Sequence, residues 1–172
     1  MRTKFDPEKA LEAILYIAPK VNGDMYKLLK MLYLADKLHL ENHGSLITGD
    51  SYYALDYGPV ATNTYDILKY VKGIRENDCG LPLAREALSI DGNEITVMRD
   101  ANLDWLSRSD IKCIESVIKE HSTKSFGELK RLTHDDAYHA TQRNHIMDLH
   151  AIAATLPNGA DVNQYFSDQY PD

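Results

Sequence analysis

Residues 30–60 read KMLYLADKLHLENHGSLITGDSYYALDYGPV, and the rest of the chain is best understood outward from them. The first half continues an amphipathic pattern that begins at Met25. At about 100° per residue, Met25, Leu28, Leu29, Leu32, Tyr33 and Leu40 form one apolar stripe. Lys27, Lys30, Lys37 and Glu41 fall on the opposite side, the pattern of a helix with one solvated face. Asp36 lands near the centre of the stripe, with His39 and His43 inside it. An unpaired buried carboxylate is costly, so Asp36 is expected to accept hydrogen bonds from backbone N–H groups, a tyrosine hydroxyl or a histidine. The nearest supply is the irregular segment that follows. Asp36 and His39 are therefore expected to pin the 47–60 loop onto the helix, while the loop's outer face can line a ligand or partner site.

Composition narrows the function classes. At 172 residues the chain fits one domain with a proper core, and a 44% hydrophobic and 26% charged share is ordinary for a globular protein. No apolar run approaches the roughly 18 residues that span a bilayer. The opening MRTKFDPEKALEAIL lacks an apolar targeting segment, and two cysteines, Cys79 and Cys113, are too few for a disulfide framework or zinc site. A reduced, cytoplasmic setting is the expectation. The net charge of −7 argues against a general nucleic-acid binder and suits a protein that covers a basic surface on another protein.

Working outward, Asp6-Pro7 opens a first helix with Ala10, Leu11, Ile14, Leu15 and Ile17 as its apolar face, ended by Pro19 and Asn22-Gly23. Asp24 caps the helix described above, which stops near Gly44. Gly58-Pro59 is expected to start the next helix, ended by Gly73, and residues 74–83 read as a loop. Alternating Leu88 and Ile90, then Asp91-Gly92-Asn93, then Ile95 and Val97 predict a hairpin over about 86–98. Ser107/Asp110 and Ser125/Glu128 are capping-box pairs ahead of apolar faces, and Thr133/Asp136 suggests a third. A short helix follows from Met147 to Leu156, and the tail from about 160 is expected to be partly frayed. The sum is one mainly α domain spanning residues 1–172 with one small antiparallel hairpin.

Catalytic signatures are weak. His39 and His43 have the i, i+4 spacing of two helical metal ligands, but the intervening residues do not make HExxH and no second set completes them. Neither cysteine sits where a thiolate would be favoured, and no GxSxG, P-loop or GxGxxG occurs. Asp36 and His39 as an acid/base pair would lack a nucleophile or metal. No cofactor and no metal are expected. Tyr52, Tyr53, Tyr57 and Tyr65 are more suggestive, because tyrosine gives interface area at little entropic loss. Alternation would send Tyr52 and Tyr53 opposite ways. Leu34 lacks an obvious core role.

Leu29-x-x-Leu32-Tyr33-x-Ala35-Asp36, His39, Ile47-Thr48-Gly49-Asp50-x-Tyr52 and Tyr57-Gly58-Pro59-Val60 together resemble the signature of the Panacea domain family, which includes SocA-like antitoxins and GepA-like phage-associated proteins. Leu132-Thr133-His134 with Ala137-Tyr138 is similar to the family's C-terminal Ser/Thr-His motif, with Tyr138 where an aromatic, often Trp, follows. The resemblance runs from about residue 10 to residue 156. It implies a non-enzymatic antitoxin of a bacterium or prophage that binds and neutralises a protein toxin encoded beside it, including translation-inhibiting enzymes similar to small alarmone synthetases. The alternatives are an adaptor that delivers the toxin to a protease, or a hydrolase using Asp36 and His39. Homo-oligomers or a heterotetramer with the toxin are compatible with it. On this reading Asp36, His39, Gly49, Gly58, Pro59 and His134 anchor and shape the motif loop. Asp50, Tyr52, Asp56, Tyr57 and Asn63 are the expected partner contacts, with no membrane and no nucleic acid involved.

Overall fold

A computed structural model describes residues 4–76 and 81–169. Helix α1 (Pro7–Ile17) begins where Asp6 accepts the Lys9 N–H and Pro7 fills a position with no helical donor to lose. A 3₁₀ turn at Ala18–Val21 and a left-handed Asn22 lead to α2 (Met25–His43), capped by Asp24 on the Lys27 N–H. Strands β1 (Tyr52–Leu55) and β2 (Gly58–Ala61) pair antiparallel, with Tyr52 opposite Ala61, and run into α3 (Thr62–Val71). After α4 (Ala84–Ala87), β3 (Leu88–Asp91) and β4 (Glu94–Val97) form the expected hairpin around Gly92-Asn93. Helices α5 (Arg108–His121), α6 (Phe126–Thr133), α7 (Asp136–Ala140), α8 (Leu149–Ala154) and α9 (Gly159–Gln169) complete the chain. The fold is mainly α with two small antiparallel two-stranded sheets among the described residues.

Helix α2 is the axis of the molecule. It packs against α1, α5, α6, α8, α9 and β2, so neighbours cover nearly its whole circumference. That arrangement corrects the expectation of a solvated face at Lys30, which is 2% exposed. A helical wheel assigns a polar face to water, but here β2 and α6 occupy it. Leu34 likewise packs against the core. The β3–β4 hairpin is stabilised by docking, as a two-stranded sheet requires: the Ile95 N–H donates to the Gly23 carbonyl at 2.8 Å and the Met25 N–H to Asn93 at 3.0 Å.

Two further expectations change. Residues 58–61 form a strand and not the start of a helix, because Gly58 sits at φ +107° and the helix-initiating cap comes from elsewhere in the chain. Asp135, not Thr133, caps α7, accepting the Tyr138 N–H at 3.1 Å, while the Thr133 hydroxyl donates back to the Leu129 carbonyl. Within the tail expected to be partly frayed, Gly159–Gln169 form α9, which seats Phe166 at 1% exposure in the core beside Val162, and residues 170–172 lie outside the described residues. The pairs at Ser107/Asp110 and Ser125/Glu128 are both complete capping boxes. Cys113 is buried; Cys79 and part of the 74–83 loop lie outside the described residues.

Candidate functional site

Asp36 is 1% exposed and has the donors its burial demands. The Ile47 N–H donates to Oδ1 at 2.7 Å and the Tyr52 hydroxyl to Oδ2 at 2.6 Å. The carboxylate thus ties both the incoming loop and the first residue of β1 to the middle of α2. Tyr52 also meets Tyr33 edge-on, with ring centroids 4.9 Å apart. Burial raises the Asp36 pKa to about 6, while the bonds from Tyr52 and Ile47 work the other way.

His39 fastens a different point. Its Nδ1 lies 2.7 Å from the Ser45 carbonyl, and Nε2 lies 3.2 Å from Asp110 Oδ1, an ionic contact and not an aligned hydrogen bond. Asp110 also meets Lys9 Nζ at 2.7 Å and accepts the Ser107 N–H at 2.7 Å. One capping-box carboxylate therefore joins α1, α2 and α5. Burial opposes the charged forms on both sides, yet the pair's mutual contact prevails: the histidine pKa is raised and the Asp110 carboxyl is held well below its usual range by His39, Lys9 and Ser107. His43 points to solvent, with its ring 4.7 Å from that of His39.

Asp36 gives a pH test. The folded protein holds this proton more tightly than the unfolded chain does, so ionisation withdraws stability as pH rises from near 3.8 to about 6. Asp36→Asn cannot ionise and escapes that loss. Urea unfolding should show the wild-type advantage over Asp36→Asn shrinking by about 2 kcal/mol between pH 4 and pH 7. A widening gap would mean that the hydrogen bonds outweigh desolvation.

Two of the expected partner contacts turn inward. Asp50 is buried and serves as the missing cap of α3: it accepts the Asn63 N–H at 3.1 Å, the Thr64 N–H at 2.7 Å, the Thr64 hydroxyl at 2.8 Å and the Asn63 side-chain amide at 2.8 Å. Asn63 is committed to that bond, and Tyr52 to Asp36. Asp50 and Tyr52 are corrected from contact residues to internal ones, while Asn63 stays half-buried; the Asp50 carboxylate satisfies donors of two residues at a helix start that no local side chain reaches. Asp56 and Tyr57 stay outside. Asp56 pairs with exposed Arg143 at 2.6 Å, and Tyr57 is 55% exposed.

Gly58 and Pro59 shape the surface below Tyr57. An added Cβ at Gly58 would stand 2.6 Å from Lys30 Nζ and 3.1 Å from His134 Nε2. Gly49, at φ +67°, is as tight: its Cβ would lie 2.3 Å from the Lys4 carbonyl oxygen. His134 stacks on Tyr138 with centroids 4.0 Å apart, and the Tyr138 hydroxyl donates to the Leu55 carbonyl at 2.8 Å. Asp135 beside it accepts from the Tyr33 hydroxyl at 2.9 Å and Lys37 Nζ at 2.7 Å. The C-terminal motif thereby closes on α2 and on the β1–β2 turn. The outer edge of β1 is covered by residues 144–147, the Met147 N–H donating to the Tyr52 carbonyl at 2.7 Å.

The site as built is an aromatic surface over a shaped hairpin. Tyr26, Tyr57 and Phe126 approach one another pairwise at 6.0–6.2 Å between centroids, and Lys130 Nζ sits 5.5 Å from the Tyr57 ring. Tyr26, Phe126, Lys30 and Lys130 carry no signal of this role in the sequence, since they come from α2 and α6 and meet only through packing. No group of histidine, cysteine and acidic residues suited to a metal ion occurs among the described residues. No helix is long and apolar enough to cross a membrane among the described residues.

A family model described as antitoxin SocA-like, Panacea domain, matches residues 28–138, a span that begins in α2 and ends at the Tyr138 that supports the β1–β2 turn. Comparison with curated proteins and with solved structures gave no match.

Proposed function

This chain belongs to the antitoxin SocA-like, Panacea-domain family, and on that premise we propose that it neutralises a protein toxin, encoded by an adjacent gene, by binding it directly in the cytoplasm. The observation that carries the contact mode is the aromatic surface at Tyr57. A large, half-exposed ring backed by Tyr26 and Phe126 is what a protein-binding hot spot requires, and a rigid hairpin holds it in place. Neutralisation by occupancy needs no bond chemistry from this chain, so Asp36 and His39 act as fasteners and no catalytic step is assigned to them.

Co-expression with the neighbouring gene tests the reading. The neighbour is expected to arrest growth alone and to be harmless beside this protein. A neighbour that is harmless by itself, or still toxic in its presence, would sink the antitoxin role. Tyr57→Ala should weaken the purified complex about tenfold or more, with the melting temperature within a few degrees of wild type, as expected for an interface aromatic whose ring is largely outside the core. Equal loss of folding and binding would return Tyr57 to a structural role.

A further inference from the structure

We propose that the cavity beneath Tyr57 is an anchor pocket for one acidic side chain of the bound toxin, with Lys30 as the group that receives it; the proposal rests on the direct-binding function above. The cavity has a volume of about 260 Å³ and is walled by Tyr26, Leu29, Leu55, Tyr57 and Tyr65, with Lys30 also lining it. That volume is below the usual range for small-molecule sites and suits a single anchoring side chain. Most of its walls are apolar or aromatic, which fits a methylene stem, with Asn144 and Asp56 also lining it, while the positive charge comes from α2.

Lys30 is the unusual feature. It is almost fully buried, and among the described residues its one polar partner is the Pro59 carbonyl at 3.3 Å. An ammonium has three donors, so this one is under-satisfied, and a buried cation without a carboxylate is costly to keep. Burial and the neighbouring Lys130 lower its pKa to about 8, which still leaves it mostly protonated near neutrality. The buried His134 Nε2 stands against the same side of Gly58 as the Lys30 ammonium. Lys130 adds a second cation at the Tyr57 ring. Among the described residues Asp56 is the one acidic residue lining the cavity, and Arg143 already engages it. The spot is therefore locally cationic on a chain of net charge −7, and a carboxylate delivered by the partner would supply the missing acceptor. The aromatic rim would keep water from that contact, as surrounding residues do at buried hot spots.

The test compares wild type with Lys30→Met, Lys30→Gln and Lys30→Arg for binding to the purified product of the adjacent gene, with the melting temperature of each. Lys30→Met should lose on the order of 100-fold in affinity without a fall in melting temperature, and Lys30→Arg should lose much less. Asp→Asn and Glu→Gln replacements over the toxin should reveal one residue with a similar loss that adds nothing in combination with Lys30→Met. Affinity within threefold for Lys30→Met, or no acidic residue coupled to it, overturns the proposal. If Lys30→Met fails to fold, Lys30→Gln and the toxin-side variants decide by the same criteria.

A second measurement needs no toxin and separates this proposal from the antitoxin reading itself. Titration of the full chain with N-acetylglutamate amide should give saturable shifts of the Tyr57 and Tyr65 ring signals that are lost in Lys30→Met or, if that variant does not fold, in Lys30→Gln. Absent shifts in wild type, equal shifts in the folded Lys30 variant, or stronger saturation by inorganic phosphate than by the carboxylate would each overturn the acidic-anchor assignment.

Discussion

Asp110→Ala is expected to lower stability by about 4 kcal/mol and the melting temperature by roughly 10 °C, the larger of two effects centred on buried polar contacts. The carboxylate is 1% exposed and serves three helices at once, through Lys9, His39 and the Ser107 N–H. Alanine would leave the buried His39 Nε2 and the Ser107 N–H facing nothing, remove half of a capping box and open a small void. Each stranded group costs about 1–3 kcal/mol, and the cap adds about 1. Lys9 is partly in water, so Lys9→Ala should cost far less. The pH signature has a definite sign. Because the folded Asp110 carboxyl is held below its usual range, its contribution is present above the unfolded value near 3.8 and is lost as pH falls through the folded one. Urea titrations should therefore show the wild-type advantage over Asp110→Ala largest near neutrality and shrinking in acid. A loss under 1 kcal/mol at pH 7 would mean that the three-helix junction holds without its charge. His39 binds the Ser45 carbonyl, so loosening Asp110 should also loosen the loop that leads to the site, measurable as faster hydrogen exchange at the Ile47 amide.

Gly58→Ala should cost about 3 kcal/mol and abolish partner binding even where the variant remains folded. At φ +107° an L-residue is strained by about 1–3 kcal/mol, whatever the space around it. The added methyl would also come within 2.6 Å of Lys30 Nζ, which would have to leave its bond to the Pro59 carbonyl. Combining Gly58→Ala with Lys30→Met separates the two terms. Relief of the contact should recover part of the loss, and the backbone strain should remain. Urea unfolding of the four proteins of that cycle gives the coupling directly. A Gly58→Ala variant within 0.5 kcal/mol of wild type would show that the turn can relax to an ordinary conformation, and the hairpin would no longer count as a rigid support.

The limits of sequence reading are visible at particular residues. Asp24, Ser107 with Asp110, and Ser125 with Glu128 were legible because a cap and its donors lie within three residues of each other. The local pattern puts the start of α3 too early because its cap, Asp50, lies more than ten residues upstream and reaches it only after the chain has turned back through β1 and β2. The angular rule puts Lys30 in water because it supplies one neighbour face per helix, whereas α2 has partners on nearly every side. Tyr52 and Tyr57 illustrate the same division within one hairpin. Alternation separates Tyr52 from Tyr53, but which of the strand's faces is internal depends on where α2 lies.

What the sequence by itself determined is the set of short-range facts: a helical chain, a hairpin at a Gly92-Asn93 turn, a buried Asp36 in need of donors, and a motif pattern that points to one family. What only the tertiary structure decided is which groups are left over after packing. Asp50 and Tyr52 are consumed by internal hydrogen bonds, while Tyr57 stands exposed and Lys30 is buried with, among the described residues, a single carbonyl as its polar partner. The reason is physical: a residue's type states what it must bind, but whether that need is met depends on atoms brought together across the whole chain, and the unmet needs are what remain for a partner.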